Sequence, residues 1–240
     1  MTYSGSPDWK KTVGKNLDFF LAEVKKNGWP LDFFSYHGYC TMPETIDRIR
    51  HFDAVLNSNG FTSEKTERIF NEWLPYHHRR ELLDTAEQSA LIGATLVAMQ
   101  NGPVDIGCIY DARCGAGTYS ALFNPDTLLP RKAYYVFLTF NELRKHGNAV
   151  RVSGSADEAG GDIWIAAAKS DDGLKGAVMV VNTGREPLPL PKISGGMKVV
   201  RVRAVDSESN FAEIPLSDEI GTLTVLLIET EACGPMQRQE

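Results

Sequence analysis

One change of pattern, near Gly147, constrains the fold of this 240-residue chain more than any other feature. Before it, apolar runs of strand length alternate with segments of helical spacing. After it, short β-like runs follow one another with no helix between them. Alternating strands and helices are typical of a parallel sheet, and consecutive short strands are typical of an antiparallel one. We therefore predict an α/β unit over residues 1–147 and an all-β unit over residues 148–240.

Three apolar runs in the first half are predicted strands, namely LDFFSYHGY, ERIFNEW and VDIGCIYDA. Because each is apolar throughout rather than alternating, we expect a sheet that is covered on both faces. Thr41 and Glu44 have the spacing of a capping box and predict the start of a helix. Asn59-Gly60 ends that helix, and Pro130 begins the last helix of the first half.

Five short runs in the second half are separated by Gly, Ser, Asp and Pro. The predicted strands are VRVSG, DIWIAAAK, GAVMVVNTG, MKVVRVRAVD and TLTVLLIET. Their spacing favours an antiparallel β-sandwich.

Composition excludes several classes of function. The net charge is −6 and no basic run occurs, which disfavours a nucleic-acid partner. The longest apolar stretches are too short to cross a membrane, and the N-terminus lacks the apolar core of a signal peptide. Cys40, Cys108, Cys114 and Cys233 fit neither a zinc site nor a redox pair, and Cys108 lies in an apolar run that suggests a buried thiol. These observations weakly favour a reducing, cytoplasmic location.

Polar side chains lie at the C-terminal end of each of the three predicted parallel strands. Active sites of βα folds lie at the C-terminal ends of such strands. The residues are Ser35, His37 and Tyr39 in the first run, Asn71, Glu72 and Trp73 in the second, and Tyr110 and Asp111 in the third, with Arg113 directly after it.

Glu72 is the most informative of these residues. A carboxylate that follows Ile69-Phe70 and precedes Trp73 is poorly solvated and needs a polar partner. Residues two apart share a face of a strand, so His37 and Tyr39 could reach it together. The structural alternatives are a salt-bridged or exposed loop Glu, a core His and a core Tyr.

Other polar groups have simpler interpretations. Asp111 and Arg113 could pair with each other, and His77-His78 with Arg79-Arg80 is best interpreted as a solvated loop, since adjacent histidines point in different directions.

The segments PLDFFSYHGY, FNEW and ALFNPDTLLPRKAYYVFLTFNEL are similar, in order and spacing, to the later half of glycoside hydrolase family 39. That family includes β-xylosidases and α-L-iduronidases. The resemblance implies a partial (β/α)8 TIM barrel, with about strands six to eight, followed by an antiparallel β-sandwich domain. His37 and Tyr39 match the end of strand six, and Glu72 and Trp73 match the nucleophile motif of strand seven.

The resemblance implies a retaining glycosidase that needs no metal or organic cofactor. Glu72 would be the catalytic nucleophile, and a hydrogen bond from Tyr39 would stabilise its charge. The family's acid/base motif, an Asn-Glu-Pro-like sequence, does not precede His37, and Tyr110-Asp111 stands where many members carry a Trp on strand eight. The implied substrate-binding residues are His37, Tyr39, Trp73, Tyr110 and Asp111.

These departures predict a C-terminal fragment that is inactive alone. Its partners would be a carbohydrate substrate and either the missing N-terminal part of the barrel or a second copy of the chain. The alternatives are a non-catalytic carbohydrate-binding remnant of a glycosidase and a plain interaction domain.

Overall fold

A parallel sheet and an antiparallel sheet are joined by two helices that pack against both parts of the chain. The structure, a computed structural model, describes residues 9–76, 79–112, 121–194 and 196–233. The helices are α1 (Trp9–Asn27), α2 (Met42–Ser58), α3 (Ala86–Asn101), α4 (Lys132–Arg144) and the short α5 (Ala156–Ala159). The strands are β1 (Phe33–Gly38), β2 (Glu67–Trp73), β3 (Ile106–Ile109), β4 (Asn148–Val150), β5 (Ile163–Lys169), β6 (Lys175–Asn182), β7 (Leu188–Pro189), β8 (Met197–Val205), β9 (Asn210–Glu213), β10 (Glu219–Ile220) and β11 (Thr224–Ala232).

Strands β1, β2 and β3 form a three-stranded parallel sheet in that order, with β2 in the centre. All three lie within the predicted runs, and β2 coincides with ERIFNEW. The predicted capping box also forms, because Thr41 and Glu44 exchange hydrogen bonds at the start of α2. Helix α3 begins at Ala86, with Thr85 as its N-cap.

Among the described residues, no layer covers one face of this sheet, which departs from the expectation of strands buried on both faces. Gly107 faces α3, since a Cβ there would lie 2.6 Å from Met99 Sδ, so the neighbouring side chains of β3 face the other way. On that face Phe33 is 56% exposed and Ile106 is 43% exposed. We call it the open face; it carries Phe33, Ser35, His37, Ile69, Ile106 and Cys108. Strand β1 and strand β3 are both edges of the sheet within the described ranges.

The second half forms a six-stranded sheet in the order β4-β5-β6-β11-β8-β9, with antiparallel neighbours throughout. Helices α3 and α4 pack against one face of it. On the other face, the two-stranded pair β7 and β10 contributes Leu188 and Ile220 to a cluster with Val202 and Leu226. The antiparallel pairing agrees with the sequence prediction, whereas its arrangement as a two-sheet sandwich is not confirmed.

The hydrophobic core continues across the predicted boundary at residue 147. Met179, Val181 and Leu227 of the antiparallel sheet belong to the same cluster of buried side chains as Phe70 and Ile92. A division into domains 1–147 and 148–240 therefore stays a prediction. In the described part of the chain no helix is long and apolar enough to span a membrane.

Candidate functional site

Strand β2 brings Glu72 to the C-terminal end of the parallel sheet. At its N-terminal end the fully buried guanidinium of Arg68 bonds to Asp53 and Asn57 of α2, at 3.0 and 2.9 Å, and to the carbonyl of Phe61 at 2.9 Å. The pairing of β1 with β2 shifts by one residue between Tyr36 and His37. This shift sets His37 directly beside Glu72.

Two side chains from the β1 end converge on one oxygen of Glu72. The Tyr39 hydroxyl donates to Glu72 Oε2 at 2.8 Å, and His37 Nδ1 lies 3.2 Å from the same atom. No donor among the described residues contacts Oε1. The Glu72 side chain is 34% exposed, so the carboxylate is oriented by its neighbours and still accessible to a ligand.

Two aromatic rings, those of Tyr39 and Tyr110, lie next to this carboxylate. The Tyr110 ring meets the Tyr39 ring edge to face, with 6.1 Å between the ring centroids. The Tyr110 amide donates to the Trp73 carbonyl at 2.9 Å, which fixes the end of β3 against β2. Both phenol rings are half-buried and suit a ligand with apolar and hydroxyl surfaces, such as a sugar.

Two predicted substrate-binding residues are placed differently. Trp73 is 1% exposed and stacks between Phe70 and Phe137, on the helix side of the sheet. Its ring therefore belongs to the core, and we withdraw the prediction that it contacts substrate; alternation along a strand turns the residue after Glu72 to the opposite face. Asp111 is only 7% exposed, and the peptide bond that joins it to Tyr110 is cis.

Arg68 has a structural role that the sequence pattern did not show, and Asn71 and Ser35 lie beside the site. Arg68 and Asp53 form an ion pair that holds β2 on α2, although ERIFNEW suggested an apolar strand. Asn71 lies in the irregular part of β2, and its buried Oδ1 has no hydrogen-bond partner in the described ranges. Ser35 sits opposite Ile69, further down the open face from Glu72. The signal that could have found Arg68 is a charge at a helix-facing strand position.

The remaining candidates are surface arginines and residues outside the described ranges. His77, His78, Arg113 and Cys114 lie outside the described residues. Arg79 pairs with Glu81 at 2.8 Å, and this bond raises the pKa of its exposed guanidinium. No three His, Cys, Asp or Glu side chains come together as a metal site would require, within the part of the chain that the structure describes.

The buried thiol of Cys40 and the buried phenol of Tyr36, near α2, are chemically unreactive. Burial raises the pKa of Cys40, which lies 3.4 Å from the Thr45 hydroxyl, and burial likewise raises the pKa of Tyr36. Cys108, in contrast, is exposed on the open face, which corrects the prediction of a buried thiol in that run. Cys40, Cys108 and Cys233 are all free.

Among the comparisons with known proteins, only the one with solved structures finds matches. No family profile matches this sequence, and no curated protein matches it significantly. Among solved structures, a glucosidase from Croceicoccus marinus superposes with a TM-score of 0.67 at 17% identity, over 89% of this chain and 56% of that one.

Two further solved structures are similar to the same extent. A monomeric β-xylosidase from Caulobacter crescentus gives a TM-score of 0.62 at 17% identity, over 89% of this chain and 58% of that chain. The glycoside hydrolase family 39 enzyme from Xanthomonas axonopodis pv. citri gives 0.61 at 15% identity, over 97% of this chain and 59% of that one. The chain thus shares the fold of glycoside hydrolases and spans little more than half the length of these three.

Proposed function

We propose that this chain carries the nucleophile side of a retaining glycosidase site, of the β-xylosidase type, with Glu72 as the nucleophile. The observation that carries the proposal is the convergence of Tyr39 and His37 on Glu72 Oε2, at 2.8 and 3.2 Å, at the end of a parallel strand. The shared fold with glycoside hydrolases supports it.

In the proposed reaction, Glu72 attacks the anomeric carbon and forms a glycosyl ester, while the glycosidic oxygen leaves with a proton from a second carboxylic acid. Retaining enzymes hold these two groups about 5–5.5 Å apart. Attack comes from Oε1, because Oε2 is held by Tyr39 and His37. Tyr39 stabilises the ionised carboxylate before attack, and Tyr110 gives the sugar an apolar surface.

The sequence contains no motif for the second carboxylic acid, which would protonate the glycosidic oxygen. General acid assistance contributes about 10²–10⁴-fold to rate, so a site without it fails with poor leaving groups. A dinitrophenolate leaves without a proton. A dinitrophenyl glycoside therefore tests the nucleophile separately from the acid.

The test of Glu72 is covalent labelling by 2,4-dinitrophenyl 2-deoxy-2-fluoro-β-xyloside, followed by peptide mass spectrometry. We expect one glycosyl group per chain, attached to Glu72, and none in Glu72→Gln. Glu67→Gln is the matched control, because Glu67 lies at the other end of the same strand, and it should label normally. Absence of labelling, or labelling that persists in Glu72→Gln, contradicts the assignment.

We also predict that the chain alone does not turn over ordinary glycosides. The purified chain should release no xylose from alkyl or unactivated aryl xylosides, although Glu72 is labelled by the fluorinated reagent. The reason is the lack of an acid that could protonate the leaving oxygen. Turnover by the chain that disappears in Glu72→Gln would show that another carboxylate, or a second copy, supplies the acid.

The second candidate is a carbohydrate-binding remnant without catalysis. The half-buried Tyr39 and Tyr110 rings favour it, since aromatic surface binds sugars without any chemistry. It predicts xyloside binding, seen by ligand-observed NMR and lost in Tyr110→Ala, without any labelling of Glu72.

A further inference from the structure

We infer that Arg48 of α2 anchors a binding site for a phosphate group, and that the Trp9 ring covers this site and moves aside when the anion binds. The inference goes beyond the proposed function, because it involves none of the residues around Glu72 and no sugar chemistry. It rests on a cationic side chain that is fully buried and has no hydrogen-bond partner.

Arg48 and Arg68 are both fully buried, at 1% exposure each, and their surroundings are opposite. The Arg68 guanidinium donates to Asp53, to Asn57 and to the Phe61 carbonyl. No nitrogen of the Arg48 guanidinium has a hydrogen-bond partner within the described ranges. A buried charge without a partner is strongly unfavourable, and each such group in a native protein calls for a specific explanation. An anion from solution is the partner that suits this guanidinium.

The groups of the chain that could neutralise Arg48 are engaged or uncharged. Glu44, one turn earlier on α2, accepts two hydrogen bonds at the start of the helix, at 3.0 Å each. Asp47 pairs with Lys10 at 2.6 Å. Burial raises the pKa of the Cys40 thiol more than the neighbouring guanidinium lowers it, so this thiol stays neutral. In the described part of the chain, Arg48 is therefore left without a counter-ion.

Trp9, the first residue of α1, covers the Arg48 guanidinium. The guanidinium carbon lies 4.3 Å from the centre of the Trp9 ring, and Trp9 is 5% exposed. A cation–π contact compensates only part of the cost of removing a guanidinium from water. An oxyanion in place of the ring would supply both the negative charge and the acceptors that Trp9 lacks.

His51 brings a second polar group to the same cover. It follows Arg48 by three residues, so the two side chains lie on one face of α2. The His51 ring meets the Trp9 ring edge to face, with 5.2 Å between the centroids, and its buried Nε2 has no partner among the described residues. A guanidinium binds two oxygens of one anion through its planar fork, and an imidazole N–H can bind a third. This donor set suits the oxygens of a phosphate group.

The test is the binding of inorganic phosphate, measured by isothermal titration calorimetry at constant ionic strength, with chloride as the control anion. A covered site lowers the apparent affinity by the fraction of molecules in which it is open. We therefore expect Trp9→Ala to lower the dissociation constant at least roughly tenfold, and Arg48→Met to abolish binding. Trp29→Ala and Arg201→Met, at exposed positions, are the matched controls and should bind phosphate as the unmodified chain does.

Hydrogen exchange provides a second measurement on the unmodified chain. Phosphate should accelerate exchange at least roughly threefold over residues 13–17 of α1, because displacement of Trp9 loosens that end of the helix, and should leave β11 unchanged. Circular dichroism verifies the folding of each variant.

Absence of phosphate binding by both the unmodified chain and Trp9→Ala overturns the inference, as does phosphate binding that persists in Arg48→Met or an affinity that Trp9→Ala does not increase. None of these measurements uses a sugar, so their failure is distinct from failure of Glu72 labelling.

Discussion

Tyr39 and His37 both contact the same oxygen of Glu72. Tyr39 is the stronger candidate for a positioning role, because its hydroxyl donates a hydrogen bond to Oε2 at 2.8 Å, whereas His37 Nδ1 lies 3.2 Å away. Hydrogen bonds to charged groups contribute about 1.5–3 kcal/mol. Stabilisation of the Glu72 carboxylate should therefore depend on the hydroxyl group of Tyr39 and much less on its aromatic ring.

Replacing Tyr39 by Phe should slow the labelling of Glu72 by roughly 10- to 100-fold, which is the effect of losing one hydrogen bond to a charged acceptor. The ring and its contact with Tyr110 remain, so affinity for the sugar should change little. The rate is followed by intact-protein mass spectrometry. Tyr134→Phe, on α4, is the control for loss of a phenol elsewhere. An unchanged rate in Tyr39→Phe would show that the contact does not support the nucleophile.

The cysteine thiols should differ in reactivity according to whether they are buried or exposed. Burial raises the pKa of Cys40, so little thiolate is present at neutral pH, while Cys108 and Cys233 are exposed. Because the thiolate is the nucleophile, we expect iodoacetamide to modify Cys108 and Cys233 at least roughly tenfold faster than Cys40. Peptide mapping after brief alkylation measures this. Equal rates at the three positions would mean that the α2 region opens readily.

At the scale of elements, β2 depends on a buried ion pair. Arg68 is 1% exposed, and its guanidinium contacts Asp53, Asn57, the Phe61 carbonyl and the Thr66 carbonyl. Removing one partner of a buried pair leaves the other without compensation. The position of Glu72 thus rests on a salt bridge at the opposite end of its strand.

Arg68→Met should lower the free energy of unfolding by about 3–5 kcal/mol, because Asp53 loses its partner and three acceptors lose a donor. Urea unfolding, followed by tryptophan fluorescence, measures the change. Arg201→Met is the matched control, since Arg201 is 43% exposed and pairs only at the surface, where about 0–1 kcal/mol is expected. A similar loss in the two variants would contradict a special role for Arg68.

Sequence patterns predicted the elements where local chemistry decides the structure. Thr41 and Glu44 fixed the start of α2, and apolar runs located β1, β2 and β3. The patterns failed where the structure depends on contacts between residues that are far apart in the sequence. Phe33, Ile106 and Cys108 are apolar as a covered sheet requires, yet the chain contains nothing, among the described residues, that covers them. Periodicity reports which residues favour burial and does not report what buries them.

The site was predictable in part for the same reason. Spacing put His37 and Tyr39 on one face, and the end of a strand put Glu72 within reach. Trp73 was predicted to bind substrate because it matches the family's motif beside Glu72, whereas strand alternation turns it into the core beside Phe137. The short strands β7, β9 and β10 were missed, since runs of two to four residues carry no usable period.

At the scale of the whole molecule, α3 links the two sheets. It is nearly all buried, with small side chains along its length, and Gly93 faces the antiparallel sheet. A Cβ at Gly93 would lie 3.1 Å from methyl groups of both Val181 and Val225. Close approach here joins the parallel and antiparallel halves in one core, so we expect the chain to unfold as a single cooperative unit.

Gly93→Leu tests that coupling. A larger side chain at this contact should force α3 away from β6 and β11 and destabilise the chain by about 1–3 kcal/mol. Gly14→Leu in α1 is the matched control, because no atom lies within 4 Å of its Cβ position and a helix interior favours Leu over Gly by roughly 0.5–1 kcal/mol. With one core, hydrogen exchange in Gly93→Leu should accelerate together in β2 and in β11. Acceleration confined to β11 would mean that the halves unfold separately, as two domains divided near residue 147 would.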